Sequence, residues 1–467
     1  MDRQEIGKPN PFHRGEIAMQ TAVGVAERMG KVGPQVIRNF MPNQHREFFA
    51  QLPFIVLGAV DASGDAWATL IAGNPGFLHS PDPQTLEFAA IPDPRDPGVA
   101  GLGDGSAIGL LGIELHTRRR NRMNGRVVTH DAGGLRVNVE HAFGNCPQYI
   151  QLRDWQMVRG PDDHLAVSQP IALDPKDPRV QALITAADTF FVASYIDDET
   201  GRHVDVSHRG GKSGFVRVNA DGSLTIPDFA GNLHFNTLGN FLINPKAGLV
   251  FPDFETGDLL QLTGDAEVVL DSSEIAAFAG AERLWTFRPR RAVLRHEALP
   301  LRFVFRPEGW SPNILRTGDW DRVRRRLDAE KLHSNWRPFR VERIVEESIH
   351  AEAFGPASVD RQQAPAEPAL ARAAAGPVDV VFVRSGQEAR WQPGSGSLLE
   401  LAEASGLTPD FSCRNGRCGT CATRVLAGSV TYPSPPAARA GAEHALICCA
   451  LPAADKVSGS NQLVLDL

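Results

Sequence analysis

The sequence predicts a mainly β chain with some helix: two copies of one barrel-like unit, then a small mixed domain holding most of the cysteines. Three observations point there. From Phe54 to about residue 300, short β-type runs alternate with Gly, Pro and Asp turns. Within that stretch three blocks recur in order at a nearly constant spacing. Five of the six cysteines fall in the last 55 residues, beyond an Ala/Pro-rich tract.

Bulk properties narrow the class. A chain of 467 residues holds two or three domains, and 42% hydrophobic with 22% charged residues is a soluble globular composition. The net charge of −7 and a pI near 6.1 give no general reason to expect nucleic-acid binding. No apolar run approaches the length of a membrane span. The polar start MDRQEIGKPNPFHRGE lacks the apolar core of a secretion signal. With five of six cysteines at one end, no chain-wide disulfide framework is expected, and a reduced cytoplasm is the expected setting.

Residues 1–53 are expected to be helical, with HREFFAQL (45–52) as a short amphipathic helix that packs without chemistry. Residues 54–180 and 181–300 are the two repeats. FIVLGAVDASG (54–64) matches FFVASYIDDETG (190–201), and ATLIAGNPGFL (68–78) matches VSHRGGKSGFV (206–216). IGLLGIELHTRRRNRMNG (108–125) aligns without gaps to AGLVFPDFETGDLLQLTG (247–264), so the offsets run from 136 to 139.

The copies differ where charge is concerned. Copy two carries Ser207, His208, Arg209 and Lys212 where copy one has Thr69, Leu70, Ile71 and Asn74. Conversely, copy one carries Arg118, Arg119, Arg120 and Arg122 where copy two has Gly257, Asp258, Leu259 and Gln261. If the halves pack as an intrachain pseudo-dimer, the two basic elements converge on one anionic ligand and the symmetry-related place loses both. Phosphate suits such a site, because guanidinium, ammonium and backbone N–H donors together satisfy its oxygens.

FFVAS, SHRGGKSGFVRV, LTIPDF, FNTLGNFLINPKAGLVF and GDLLQLTG resemble the pyridoxamine 5′-phosphate oxidase-like FMN-binding split barrels. The resemblance covers about residues 180–270 well and 54–130 more weakly. It implies a duplicated FMN-binding split β-barrel with FMN between the two barrels. Ser207, His208, Arg209, Gly210 and Lys212 then lie on the segment that follows the flavin. Asn236 and Thr237 stand where the oxidase has an Arg-Lys pair on the phosphate, and Arg120 where it has a glutamine reaching over from the partner barrel. The Arg-Lys pair is absent and no residues match the oxidase's substrate-phosphate contacts. FMN binding is therefore implied and pyridoxamine phosphate oxidation is not.

Neighbouring motifs carry less. Gly211–Lys212–Ser213 lacks the earlier glycine of a phosphate-binding P-loop, and GLGDGSAIG (101–109) lacks a surrounding strand–turn–helix. In HAFGNCPQYIQLRDW (141–155), Cys146 reads as a small buried residue, while Asn145, Gln148 and Tyr149 are candidates to line the flavin pocket. ERLWTFRPRRAVLRHEALP closes the second barrel, and 301–377 is a connector with an Ala/Pro-rich linker. Within it WRPFRVERIVEES resembles the first strand of a ferredoxin-reductase FAD domain, but no flavin or nicotinamide motif follows. An external NAD(P)H-dependent reductase or electron acceptor is therefore the expected partner.

Residues 378–467 fit one compact domain: VDVVFVRSG and EARWQP as a hairpin, SLLELAEASG as a helix ending at Gly406, then ATRVLAGSVTY, ALICCALP and QLVLDL as strands. Between helix and strands, Cys413, Cys418 and Cys421 stand at x4 and x2 spacing with Cys448 further on, the plant-type [2Fe–2S] ligand pattern. A zinc site is the competing reading, but it wants a second CxxC or His pair. Gly416 and Gly419 suit a loop passing close to the sulfides. The domain resembles the β-grasp ferredoxins. That family's apolar-Leu-x-Cys-x-x-x-Pro pattern favours Cys448 over Cys449 as fourth ligand, with alternation along a strand turning Cys449 into the core.

The expected function is an FMN- and [2Fe–2S]-dependent oxidoreductase acting on a small-molecule substrate or dioxygen, with no nucleic acid or membrane partner. The alternative is an electron-transfer or flavin- or haem-binding protein without turnover. No catalytic acid or base is named, and a homodimer stays open.

Overall fold

The computed structural model describes residues 10–334 and 373–467, except 91, 132–133, 162, 164–167, 412–413, 415, 417–418, 434, 437, 439, 442 and 455–461. It divides into two compact units, Met1–Asp328 and Ala329–Leu467. Among the described residues no helix is long and apolar enough to cross a membrane.

The polar lead forms helices α1 (Arg14–Ala22), α2 (Ala26–Val36) and α3 (Asn43–Ala50). His13 caps α1 and Glu16 reaches back to the His13 N–H, a reciprocal cap that satisfies two otherwise unpaired donors. Seven strands follow: β1 (Phe54–Val60), β2 (Ala66–Ala72), β3 (Leu78–His79), β4 (Thr85–Phe88), β5 (Ala107–Ile113), β6 (Arg120–Asp131) and β7 (Gly134–Gly144). They pair in the order β2-β1-β5-β6-β7-β4-β3. After β8 (Arg153–Met157), β9 (Ile171–Leu173) and α4 (Pro178–Ala186), the pattern repeats. Its strands are β10 (Thr189–Asp198), β11 (Gly201–Gly210), β12 (Arg217–Val218), β13 (Leu224–Phe229), β14 (Lys246–Pro252), β15 (Leu259–Val269) and β16 (Ala281–Arg295). Helix α5 (Asn236–Ile243) precedes β14 and α6 (Ser273–Ala277) precedes β16. The order β11-β10-β14-β15-β16-β13-β12 is the path of the first sheet, strand for strand. The seven-strand unit is duplicated within the chain.

Register corrects one alignment. In copy one Thr69 pairs with Leu57, which pairs with Leu110; in copy two Ser207 pairs with Val192, which pairs with Leu249. Leu57 and Leu110 face one barrel core, Val192 and Leu249 the other. The second and third blocks thus hold their expected equivalences, Thr69 with Ser207 and Leu110 with Leu249. The first does not: Leu57 is equivalent to Val192, one residue away from the FIVLG/FFVAS alignment. A one-residue slip would turn core side chains to the opposite face of the sheet.

That opposite face forms the contact between the copies. Phe54, Val56, Leu70 and Leu111 pack with Phe191, Ala193, Val206 and Val250 in a shared core. Two equivalent glycines allow the approach. A Cβ on Gly109 would lie 2.7 Å from Val204 O, and one on Gly248 would lie 2.4 Å from Ala66 O. The two crossings are related by the same repeat, so the halves meet about an internal pseudo-twofold.

The expected connector begins as part of this unit. β17 (Leu301–Phe305) pairs with β8, α7 (Pro312–Leu315) follows, and α8 (Trp320–Ser334) begins with Trp320 donating its indole N–H to Phe215 O at 2.8 Å. Residues 335–372, which include the WRPFR stretch and most of the expected linker, lie outside the described residues.

The second unit contains β18 (Val378–Phe382), β19 (Gln387–Trp391), α9 (Leu398–Ala404), β20 (Ala422–Ala427), β21 (Val430–Thr431), β22 (His444–Leu446), β23 (Leu451–Pro452) and β24 (Gln462–Leu465). The sheet order is β19-β18-β24-β20-β22, with β18 and β24 parallel. Helix α9 is set by a Ser397–Glu400 capping box and buries Leu398, Leu399 and Ala402. ALICCALP is not one strand: residues 447–449 turn between β22 and β23.

Candidate functional site

The pseudo-twofold brings β6 of copy one beside β11 of copy two, and a cleft opens between them. Arg120, Arg122, Ser207, His208, Arg209, Gly210, Asn236 and Thr237 all line it. Lys212 does not: its Nζ donates to Thr317 O at 2.9 Å and fixes the 311–319 segment. Arg118 and Arg119 also point elsewhere, the first to Ile150 O, Gly309 O and Trp310 O, the second over the Phe48 ring. Two of the four expected arginines of copy one thus meet the basic strand of copy two.

The cleft is strongly cationic. Arg120, Arg122, Arg209 and Arg283 line it against one carboxylate, Asp228. Arg283 Nε lies 2.9 Å from Asp228 Oδ2 and Arg209 Nη1 lies 3.4 Å from Oδ1. Arg122 is held from behind by Asp205 Oδ1 at 3.2 Å and bonds Ser207 Oγ, which Thr237 also meets at 2.8 Å. Arg120 Nε donates to Cys146 O at 2.5 Å, and its Nη1 is 3.3 Å from His208 Nδ1. Arg122 Nε, Arg209 Nε and His208 Nε2 are buried with no hydrogen-bond partner among the described residues. Buried donors are normally satisfied, so these three mark where a ligand's acceptors belong.

Burial, reinforced by Arg120, Arg209 and Arg153, pushes the His208 imidazole well below its usual range, so it is neutral at physiological pH. Burial also lowers Arg120 to about 10, which leaves it charged at neutral pH. Helix α5 opens onto the cleft at Asn236 and Thr237, and no side chain caps its first turn. Unpaired N–H groups there add to the attraction for an anion.

Three contributors were not legible as site residues. Asp228 and Arg283 face each other across β13 and β16 as a buried charged cross-strand pair. Glu16 comes from the polar lead: α1 crosses α5 at Gly15 and Gly239, where either Cβ would collide with the other helix, and Glu16 accepts from Asn236 Nδ2. Burial beside Asp205 raises the Glu16 carboxyl well above its usual range. Tyr149 stacks on Phe229 with centroids 5.1 Å apart and sits at φ +63°, an uncommon conformation for a non-glycine residue. A Cβ on Gly210 would lie 2.1 Å from Tyr149 O, so glycine is what lets this wall close in. Cys146 is buried, as expected of a small packing residue.

In the second unit Cys413 and Cys418 lie outside the described residues. Cys421 and Cys448 are buried, and the Gly416 N–H donates to Cys448 Sγ at 3.3 Å. Gly416 and Gly419 have φ of +71° and +79°, as a loop wrapping an anionic cluster requires. Cys449 Sγ instead approaches Leu446 O at 3.5 Å and is the more exposed of the pair. The turn at 447–449 accounts for this, where strand alternation predicted burial.

Residues 381–453 match the family described as 2Fe-2S iron-sulfur cluster binding domain. The tetrachlorobenzoquinone reductase of Sphingobium chlorophenolicum is 37% identical over 99 residues, which are 20% of this chain and 28% of that protein. The chain thus spans about a quarter of that relative's length. Among solved structures, a variant of HupZ from Group A Streptococcus aligns with 25% of this chain and 97% of its own (16% identity, TM-score 0.21). The FAD binding protein from Mycobacterium smegmatis aligns with 27% of this chain and 96% of its own (14% identity, TM-score 0.20). The chain is mainly β: one seven-strand path occurs twice, and a domain matching the 2Fe-2S iron-sulfur cluster binding family follows.

Proposed function

We propose that this chain is an FMN- and [2Fe–2S]-dependent oxidoreductase of the cytoplasm. In this reading the cleft between the barrels holds FMN and Cys413, Cys418, Cys421 and Cys448 hold the cluster. A small organic molecule or dioxygen is the substrate, and an external reductase or acceptor is the redox partner. One observation carries the reading: a cationic cleft with three orphaned buried donors lies in the same chain as a 2Fe-2S domain. Flavin exchanges one or two electrons and such a cluster exchanges one, so together they couple pair transfer to single-electron traffic.

The residues present fit both groups. Arg122 and Arg209 offer unpaired Nε–H donors and Asn236 begins an uncapped helix, a donor set suited to a phosphate dianion. His208 is neutral and so contributes a hydrogen bond without further charge. Tyr149 and Phe229 supply a flat apolar wall of the kind an aromatic ring packs on. Around the cysteines, the Gly416 N–H aimed at Cys448 Sγ is the contact expected of a thiolate ligand, which favours Cys448 over Cys449.

The test is the visible spectrum of the purified full chain, with flavin and iron analysis. Flavin bands with iron–sulfur shoulders are expected. A Soret band in place of flavin would sink the FMN assignment and leave a haem-binding protein. If flavin is bound but no donor–acceptor pair turns over, the chain is an electron carrier.

A further inference from the structure

The pseudo-twofold requires a second cleft, where β15 of copy two passes β2 of copy one, and that place is filled from within. Gln261 is the equivalent of Arg122, since Leu111 pairs with Arg122 as Val250 pairs with Gln261. Thr69 is the equivalent of Ser207. Arg295 pairs with Leu259 just as the Asn145 N–H meets Arg120 O, so Arg295 is the equivalent of Asn145. These three side chains converge on the carboxylate of Asp96. Its Oδ1 accepts from Gln261 Nε2 and from the Gly98 N–H, both at 2.8 Å. Its Oδ2 accepts from Thr69 Oγ1 and, at 2.5 Å, from Arg295 Nη1. Asp96 is 3% exposed and Gln261 is fully buried.

Asp96 lies in the β4–β5 connection, the counterpart of the β13–β14 connection that carries α5 in copy two. Thr237 of α5 meets Ser207, and Asp96 meets Thr69. One connection therefore offers donors and no carboxylate to Ser207 and Arg122, while the other places a carboxylate that accepts from Thr69 Oγ1, Gln261 Nε2 and Arg295 Nη1, with Arg295 Nε left unpaired among the described residues.

We propose that Asp96 is a built-in anionic ligand occupying a second phosphate-type site, so that the chain takes one external phosphate-bearing molecule and not two. The inference deepens the cofactor reading above and rests on the same pseudo-symmetry. By that symmetry the external anion sits against Ser207, Arg122 and Asn145, the counterparts of the three side chains around Asp96.

The test is equilibrium dialysis of the full chain against radiolabelled inorganic phosphate, with bound flavin counted separately. Asp96→Ser removes the carboxylate while Arg295 keeps Asp93 at 3.0 Å, so no arginine is stranded. This variant is expected to bind one more equivalent of phosphate than the wild type, and Asp96→Asn, which keeps the side chain's bulk, no more than the wild type. An Asp96→Ser variant that gains none overturns the proposal, as does a wild-type chain holding two flavins or two phosphates. The wild-type count needs no variant and decides the point even if Asp96→Ser does not fold. A chain without any flavin refutes the cofactor reading alone, because the phosphate difference between variant and wild type is still measured.

Discussion

Replacing Arg209 with alanine isolates the anion-binding role of the cleft from its structural role. Arg209 faces Asp228, but Asp228 keeps Arg283 at 2.9 Å, so the truncation leaves no stranded buried carboxylate. What is lost is a guanidinium whose buried Nε has no partner among the described residues. A hydrogen bond to a charged group contributes about 1.5–3 kcal/mol, which corresponds to a roughly 10- to 150-fold weaker FMN dissociation constant. The assay is fluorescence titration of the flavin-depleted full chain with FMN, alongside thermal unfolding of both proteins. Arg209→Lys keeps the charge but not the fork geometry and is expected to fall between alanine and wild type. Unchanged affinity in Arg209→Ala would refute the argument. So would an affinity loss matched by collapse of the barrel, since Arg209 would then be structural.

Other substitutions separate the remaining links. Gly109→Val drives a side chain into the Val204–Asp205 backbone. It should destabilise the barrel unit by about 1–3 kcal/mol or more in denaturant titration, leaving the cluster's EPR signal unchanged. Cys448→Ser should abolish the reduced-state EPR signal and Cys449→Ser should retain it; the opposite result would reassign the fourth ligand. His45 is buried near Arg38 and Arg119 and its pKa is lowered to about 4, below the unfolded value of 6.5. Its contribution is therefore present above pH 6.5 and lost as pH falls towards 4, by up to about 3 kcal/mol. Unfolding free energy measured across that window should fall on acidification, and His45→Gln should flatten the slope.

How much the sequence disclosed depended on how local each signal was. The cysteine spacing sits within one loop, and the basic elements of β6 and β11 lie in strands whose counterparts could be compared residue by residue. The first repeat block slipped because β1 is buried on both faces, so FIVLGAV shows no alternation to fix its register. Lys212 sat in a basic motif, yet its long side chain reaches Thr317, a contact between residues 105 apart in the chain. Nothing in IPDPRDPG singles out Asp96, because its partners Thr69, Gln261 and Arg295 gather only when the two sheets close on each other. Glu16 is likewise inconspicuous in a polar lead, and its hold on Asn236 depends on two glycines that let α1 and α5 touch.

The central claim is that one chain carries a flavin and a [2Fe–2S] cluster that exchange electrons. An anaerobic reductive titration of the full chain, following flavin absorbance and the cluster EPR signal together, tests it most directly. One flavin per chain is expected, and a one-electron donor should reduce it only when the cluster is intact, with Cys448→Ser blocking the transfer. Flavin that reduces at the same rate in Cys448→Ser as in the wild type would contradict it.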